Sequence, residues 1–149
     1  SRQELPLLAE SAQATLKEIG IEVDVNCTAD HIEAVKEPTA WDVYAMANVQ
    51  CPTGDPEYWF TVFATSDATK NQGKYSSEKL DELEKQLSKT FDVNKRAELA
   101  VQMQQTVLDD NAFVFCSFLK MSMISRSNVS NYTSHACDYY QVTADLDIQ

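Results

Sequence analysis

Apolar residues recur at three- and four-residue steps through Leu5, Leu8, Ala9, Ala12, Leu16 and Ile19, the spacing that gathers side chains along one stripe of an α-helix. Gly20 follows directly, a residue able to take the left-handed backbone that ends a helix. The period then drops to two. Ile21, Val23, Val25 and Cys27 alternate with Glu22, Asp24 and Asn26, which predicts a strand with one covered face. A second alternating run, Trp41 to Ala47, follows a connector that contains Pro38 and is expected to be partly helical.

Residues 48–75 hold two of the four prolines and two of the three glycines together with a run of aromatics, so a long irregular segment with one helical turn is expected there. Ser76 or Ser77 is placed to cap a helix that turns Leu80, Leu83, Leu87 and Phe91 to one side, with Glu78, Asp81 and Glu82 near its positive end. Asp92 caps the next helix, which runs to about Asp110 with Ala100, Met103, Val107 and Leu108 inward. Ala112 to Arg126 is expected to form one or two strands. Helices alternating with strands define an α/β domain, a mixed sheet flanked by helices.

A chain of 149 residues suits one domain, 1–149, able to bury about two-thirds of the surface its unfolded form exposes. Twelve Lys plus Arg stand against 23 Asp plus Glu, a net charge of −11, so the basic footprint that nucleic acid or an anionic membrane demands is absent. No run of about 18 apolar residues is present to insert into a bilayer. Ser1 opens the chain without a Met, as the middle of a domain would begin. Asn26, Asn128 and Asn131 each start an Asn-x-Ser/Thr sequon, which matters only where the host glycosylates secreted proteins.

Catalytic constellations are missing. His31 and His135 have no Ser, Cys or Asp neighbour in a nucleophilic pattern, and neither a phosphate-binding glycine loop nor HExxH occurs. The carboxylates fall on faces expected to be solvated, so no enzyme is expected. Cys27, Cys51, Cys116 and Cys137 form no CxxC pair, and reduced structural thiols, buried at Cys27 and Cys116, are the expectation.

The chemistry concentrates in Cys51-Pro52-Thr53-Gly54-Asp55-Pro56-Glu57-Tyr58-Trp59-Phe60, where an Asp-Pro turn lies between a strand and a cluster of rings. Open α/β sheets place ligands on loops that leave strand ends. Gln50, Cys51, Thr53, Asp55, Tyr58 and Trp59 are therefore the candidate binding residues. For Trp59 and Phe60 the competing expectation is that they plug the core beneath the loop. His135, in a polar stretch that also holds Cys137, is a candidate metal contact.

Several collinear stretches carry a resemblance. Ala9 to Val23, with its helix-Gly-strand order, Trp41-Asp42 leading into Gly54-Asp55-Pro56-Glu57-Tyr58, Gly73-Lys74-Tyr75-Ser76 into Leu80-Asp81-Glu82-Leu83, and Asp92-x-x-Lys95-Arg96 together look like the family-5 extracytoplasmic solute-binding proteins of ABC importers. The resemblance covers nearly the whole chain. It implies much of the C-terminal lobe of a two-lobed, periplasmic-binding-protein-like fold that traps peptide or a nickel or other metal chelate and hands it to a membrane permease. It further implies an extracytoplasmic location, with the full protein anchored to the membrane, and no cofactor apart from a metal chelate carried as cargo. Peptide-binding members of the family often carry a Trp and an Asp shortly before the aspartate-proline, where this chain has Val49-Gln50-Cys51-Pro52. A stand-alone protein-interaction domain without a small ligand is the alternative.

Overall fold

The computed structural model describes residues 2–120, 122–135 and 142–149. Helix α1 (Glu4–Glu18) ends as its glycine predicts: Gly20 sits at φ 83°, the Ile21 N–H reaches Leu16 O at 3.0 Å and the Gly20 N–H reaches Lys17 O at 3.1 Å. This closes orphan carbonyls at the helix end in a Schellman arrangement. The apolar stripe of α1 is not covered, since none of its residues is buried and Leu7 and Ile19 stand mostly in solvent. Gln13 Nε2 donates to Val23 O at 2.7 Å and ties α1 to the extended segment that follows.

The short helix α2 (His31–Ala34) and a 3₁₀ turn over Pro38–Ala40 make up the connector expected to be partly helical. Helix α3 (Glu57–Trp59) runs straight into a π turn, Phe60–Ala64, closed by the Thr65 N–H on Phe60 O at 3.0 Å. Helices α4 (Glu78–Leu87) and α5 (Val93–Asp109) form the predicted pair. Ser77 caps α4 by accepting from the Leu80 N–H, and Asp92 caps α5 by accepting from the Lys95 N–H at 2.9 Å.

One cluster forms the core. Trp59, Phe60, Phe63 and Ala64 of the α3–π unit pack against Leu80, Leu83 and Leu87 of α4 and Ala100, Met103 and Val107 of α5. Fully burying each large side chain contributes about 1.5–3 kcal/mol, so this helical layer is where the stability resides. Two expected core positions fail. Phe91 is 89% exposed because it lies beyond the end of α4, and Leu108 is 50% exposed because α5 turns Thr106 and Val107 inward instead.

The sheet is the main correction. Segments 21–27, 41–47 and 112–126 are largely extended but form no ladder among the described residues, and the one sheet pairs β1 (Val129–Ser130) with β2 (Asp147–Ile148), antiparallel. Alternation fixes an extended backbone, but a strand also needs a neighbour to take its N–H and C=O groups. Without one, Val43, Val114, Phe118 and Ile124 remain exposed. The same lack of cover corrects the cysteines, since Cys27 and Cys116 are exposed free thiols, not buried ones. Cys137 lies outside the described residues.

Candidate functional site

The Cys51–Tyr58 stretch is built by two local devices. The Gly54 N–H closes a turn onto Cys51 O at 3.0 Å, with Gly54 at φ 80°, a backbone that a Cβ would strain. Asp55 Oδ1 then accepts the Glu57 N–H at 2.9 Å, an Asx turn that starts α3.

A third device comes from far along the chain. Arg96 Nη2 bonds both oxygens of Asp55 at 2.7 Å and Glu57 Oε2 at 2.7 Å, while its Nη1 bonds Leu87 O at 2.8 Å and Thr90 O at 2.7 Å. One guanidinium thus holds two carboxylates and two carbonyls at the end of α4. The Arg96 side chain is only 16% exposed, against 41% for Asp55 and 30% for Glu57. The hydrogen bond from Arg96 is the chief reason that the Asp55 carboxyl titrates below its ordinary range, and the Asp55 and Glu57 carboxylates in turn raise the Arg96 guanidinium.

The candidate residues divide by exposure. Gln50 is half-buried, Cys51 and Thr53 are exposed, and Tyr58 is 36% exposed on the outer side of α3. Burial, followed by the Asp55 charge, pushes the Cys51 thiol up. Trp59 faces the other way. Its ring is 8% exposed and packs edge-on to Phe60 at 5.4 Å and to Phe113 at 5.2 Å, with Phe63 and Phe115 alongside. It supports the loop from beneath, the role that the competing expectation assigned to it. Asp55 likewise spends its carboxylate on Arg96 and the Glu57 amide.

His135 lies elsewhere, lining a concavity of about 530 Å³ with Asn131, Thr133, Thr143 and Asp145 beside the β1–β2 ribbon. None of those lining residues belongs to the 48–59 segment. Among the described residues no group of three His, Cys, Asp or Glu side chains could hold a metal ion. The site therefore offers polar and aromatic contacts for a solute, not a ligand set for a bare cation.

Arg96 was not a sequence candidate, although its position carries a signal. It stands in the first turn of α5, where the helix dipole disfavours a cation and no acidic side chain offsets it. Such a cation calls for carboxylates from another element. The His31–Tyr44 pair, Nδ1 to Oη at 2.8 Å with Trp41 edge-on to Tyr44, has no comparable signal at a separation of 13 residues.

No protein-family profile matches the chain. The nickel-binding protein NikA of Staphylococcus aureus is 28% identical over 131 residues, 88% of this chain and 27% of its own length. A crystal structure of NikA from Staphylococcus aureus in complex with Ni(L-His)2 superposes with a TM-score of 0.79 at 24% identity, over 99% of this chain and 32% of that one. A nickel ABC transporter from Bacillus halodurans superposes with a TM-score of 0.71 at 25% identity, over 99% of this chain and 31% of its own. The chain thus spans about a quarter to a third of the length of these relatives. They are named for binding and transport, which agrees with the expectation that this chain is not an enzyme.

Proposed function

We propose that this chain, a homologue of the nickel-binding solute-binding proteins of ABC importers, forms much of the C-terminal lobe of such a protein and captures a nickel chelate for delivery to a permease. The observation that carries this reading is the likeness along 99% of the chain to a protein crystallised with Ni(L-His)2. The chemistry of the 48–59 segment suits such a cargo. A nickel ion already wrapped by two histidinates is electroneutral and offers carboxylates, amines and imidazole edges, which the Gln50 amide, the Thr53 hydroxyl and the Tyr58 phenol can meet by hydrogen bonds and ring contact. No protein ligand need enter the metal's own shell, in keeping with the absence of a metal-ligating group among the described residues.

Cys51 lies on the same turn, Asp55 and Trp59 support it, and His135 is a second candidate contact from outside the segment. Capture is by closure: a solute that binds the closed arrangement of two lobes more tightly shifts the population towards it. Release to the permease follows when that preference is removed. The protein works outside the cytoplasm, anchored near its transporter. Among the described residues no helix is long and apolar enough to cross a membrane.

The test uses the full-length protein and calorimetric titration with Ni(L-His)2, with bare Ni²⁺ and with a free-amine tripeptide. Binding of the complex in preference to the other two is expected, and Tyr58→Ala should weaken it about tenfold with the melting temperature preserved, the loss of one ring contact and one hydrogen bond. Preference for the tripeptide would make peptide the cargo. Unchanged affinity in Tyr58→Ala would remove that residue from the site.

A further inference from the structure

We propose that Arg96 is a positioning residue for solute binding, acting through Asp55 and Glu57 without touching the solute. This rests on the reading of the 48–59 segment as part of the solute site.

The 51–57 stretch has little regular structure of its own: one turn at Cys51–Gly54, one Asx turn at Asp55, and exposed residues at Cys51, Thr53 and Gly54. Such a segment is locally soft. Placing Gln50, Thr53 and Tyr58 against a solute to within about 0.5 Å requires support from a rigid element. The support present is Arg96, whose backbone is locked in α5 and whose Nη1 bonds Leu87 O and Thr90 O at 2.8 and 2.7 Å. Those carbonyls fix the plane of the guanidinium. Its Nη2 then sets where Asp55 and Glu57 can sit, three bonds of 2.7 Å across sequence separations of 41 and 39 residues.

The chemistry is specific to arginine. A lysine ammonium supplies the charge, but it lacks the planar fork that serves carbonyls on one nitrogen and carboxylates on the other. Asp55 is equally constrained, since Oδ1 serves both the Asx turn and the clamp. Asn in its place keeps an acceptor for the Glu57 N–H but loses the charge and one of the bonds from Arg96.

The experiment compares Arg96→Lys, Asp55→Asn and Val107→Ala in the full-length protein, the last a core change on α5 remote from the loop. Affinity for Ni(L-His)2 is measured at a temperature where all are folded by circular dichroism, and exchange of the Gly54 and Glu57 amides is followed by mass spectrometry. Arg96→Lys and Asp55→Asn are expected to weaken binding at least tenfold and to speed exchange of both amides by a similar factor. Val107→Ala should lower the melting temperature while affinity stays within twofold.

Loop exchange unchanged in Arg96→Lys would overturn the proposal, as would a loss of affinity in Val107→Ala equal to that in Arg96→Lys. A parent protein that binds neither the nickel complex nor peptide would overturn the solute reading and the binding half of this one. In that case amide exchange still decides whether Arg96 holds the loop.

Discussion

Tyr75 Oη donates to Asp110 Oδ2 at 2.6 Å across 35 residues, joining the segment just before α4 to the residue just after α5. Arg96 makes the corresponding closure at the other end of the pair, where α4 turns into α5. The α3–π unit lies between the two. Its first residue, Glu57, is bonded to Arg96, while the Ser66 N–H just past its end reaches Asp81 Oδ1 at 2.9 Å in the first turn of α4. The unit therefore runs antiparallel to α4 and is fastened at both ends.

Tyr75→Phe should accordingly cost about 1 kcal/mol, the usual net value of one hydrogen bond. Asp110 is exposed and can recover water as its partner, which keeps the cost from rising further. Urea unfolding monitored by circular dichroism checks this, with a lower midpoint and an unchanged slope expected.

The thiol of Cys51 is disfavoured as thiolate by burial and by the Asp55 carboxylate. Since the thiolate is the nucleophile, iodoacetamide at neutral pH should modify Cys51 more slowly than an unperturbed free thiol, and its rate should climb at a pH above the ordinary thiol range. Peptide mapping of the modified sites over time gives the comparison. If the solute covers this turn, bound Ni(L-His)2 slows the reaction further.

Glu84 titrates above its ordinary value because of burial and then the charges of Glu57, Asp67 and Asp81. A carboxyl raised in this way favours the fold in its protonated form. Its contribution is present below the unfolded value of about 4.3 and is lost as pH rises through the raised folded value. Glu84→Gln removes the ionisation and should stabilise the protein at pH 7 by about 0.5 kcal/mol, at the lower end of surface-charge improvements. The gain should fade as pH falls below about 4, which paired thermal melts at pH 7 and pH 3.5 would reveal.

Local physics explains which parts of the fold the sequence discloses. Leu80, Leu83 and Leu87 bury on the helix spacing that predicts them because α4 meets α5 across a short turn, so both partners lie within one window of sequence. Gly20, Ser77 and Asp92 act within a few residues of themselves, and their capping roles are read directly. Val23 and Tyr44 disclose extended backbone but not what pairs with it, since a ladder depends on residues outside the window. The Asp55-Pro56 turn is visible for the same reason that the glycine stop is. Its fastening to Arg96 is not, because 41 residues intervene and only the awkwardness of a cation in the first turn of a helix hints at it.

The π turn over Phe60–Ala64 is a wide coil that takes about one more residue per revolution than an α-helix. Deleting one residue there would let the coil tighten to ordinary α spacing and would swing everything beyond it by about 100° around the helix axis. Thr65, whose carbonyl receives Asn71 Nδ2 at 3.1 Å, would be turned out of the core. Single-residue deletion is usually tolerated in exposed loops, but here it would change the phase between the solute-side turn and the two helices that carry it, so the length of this stretch is as constrained as its composition.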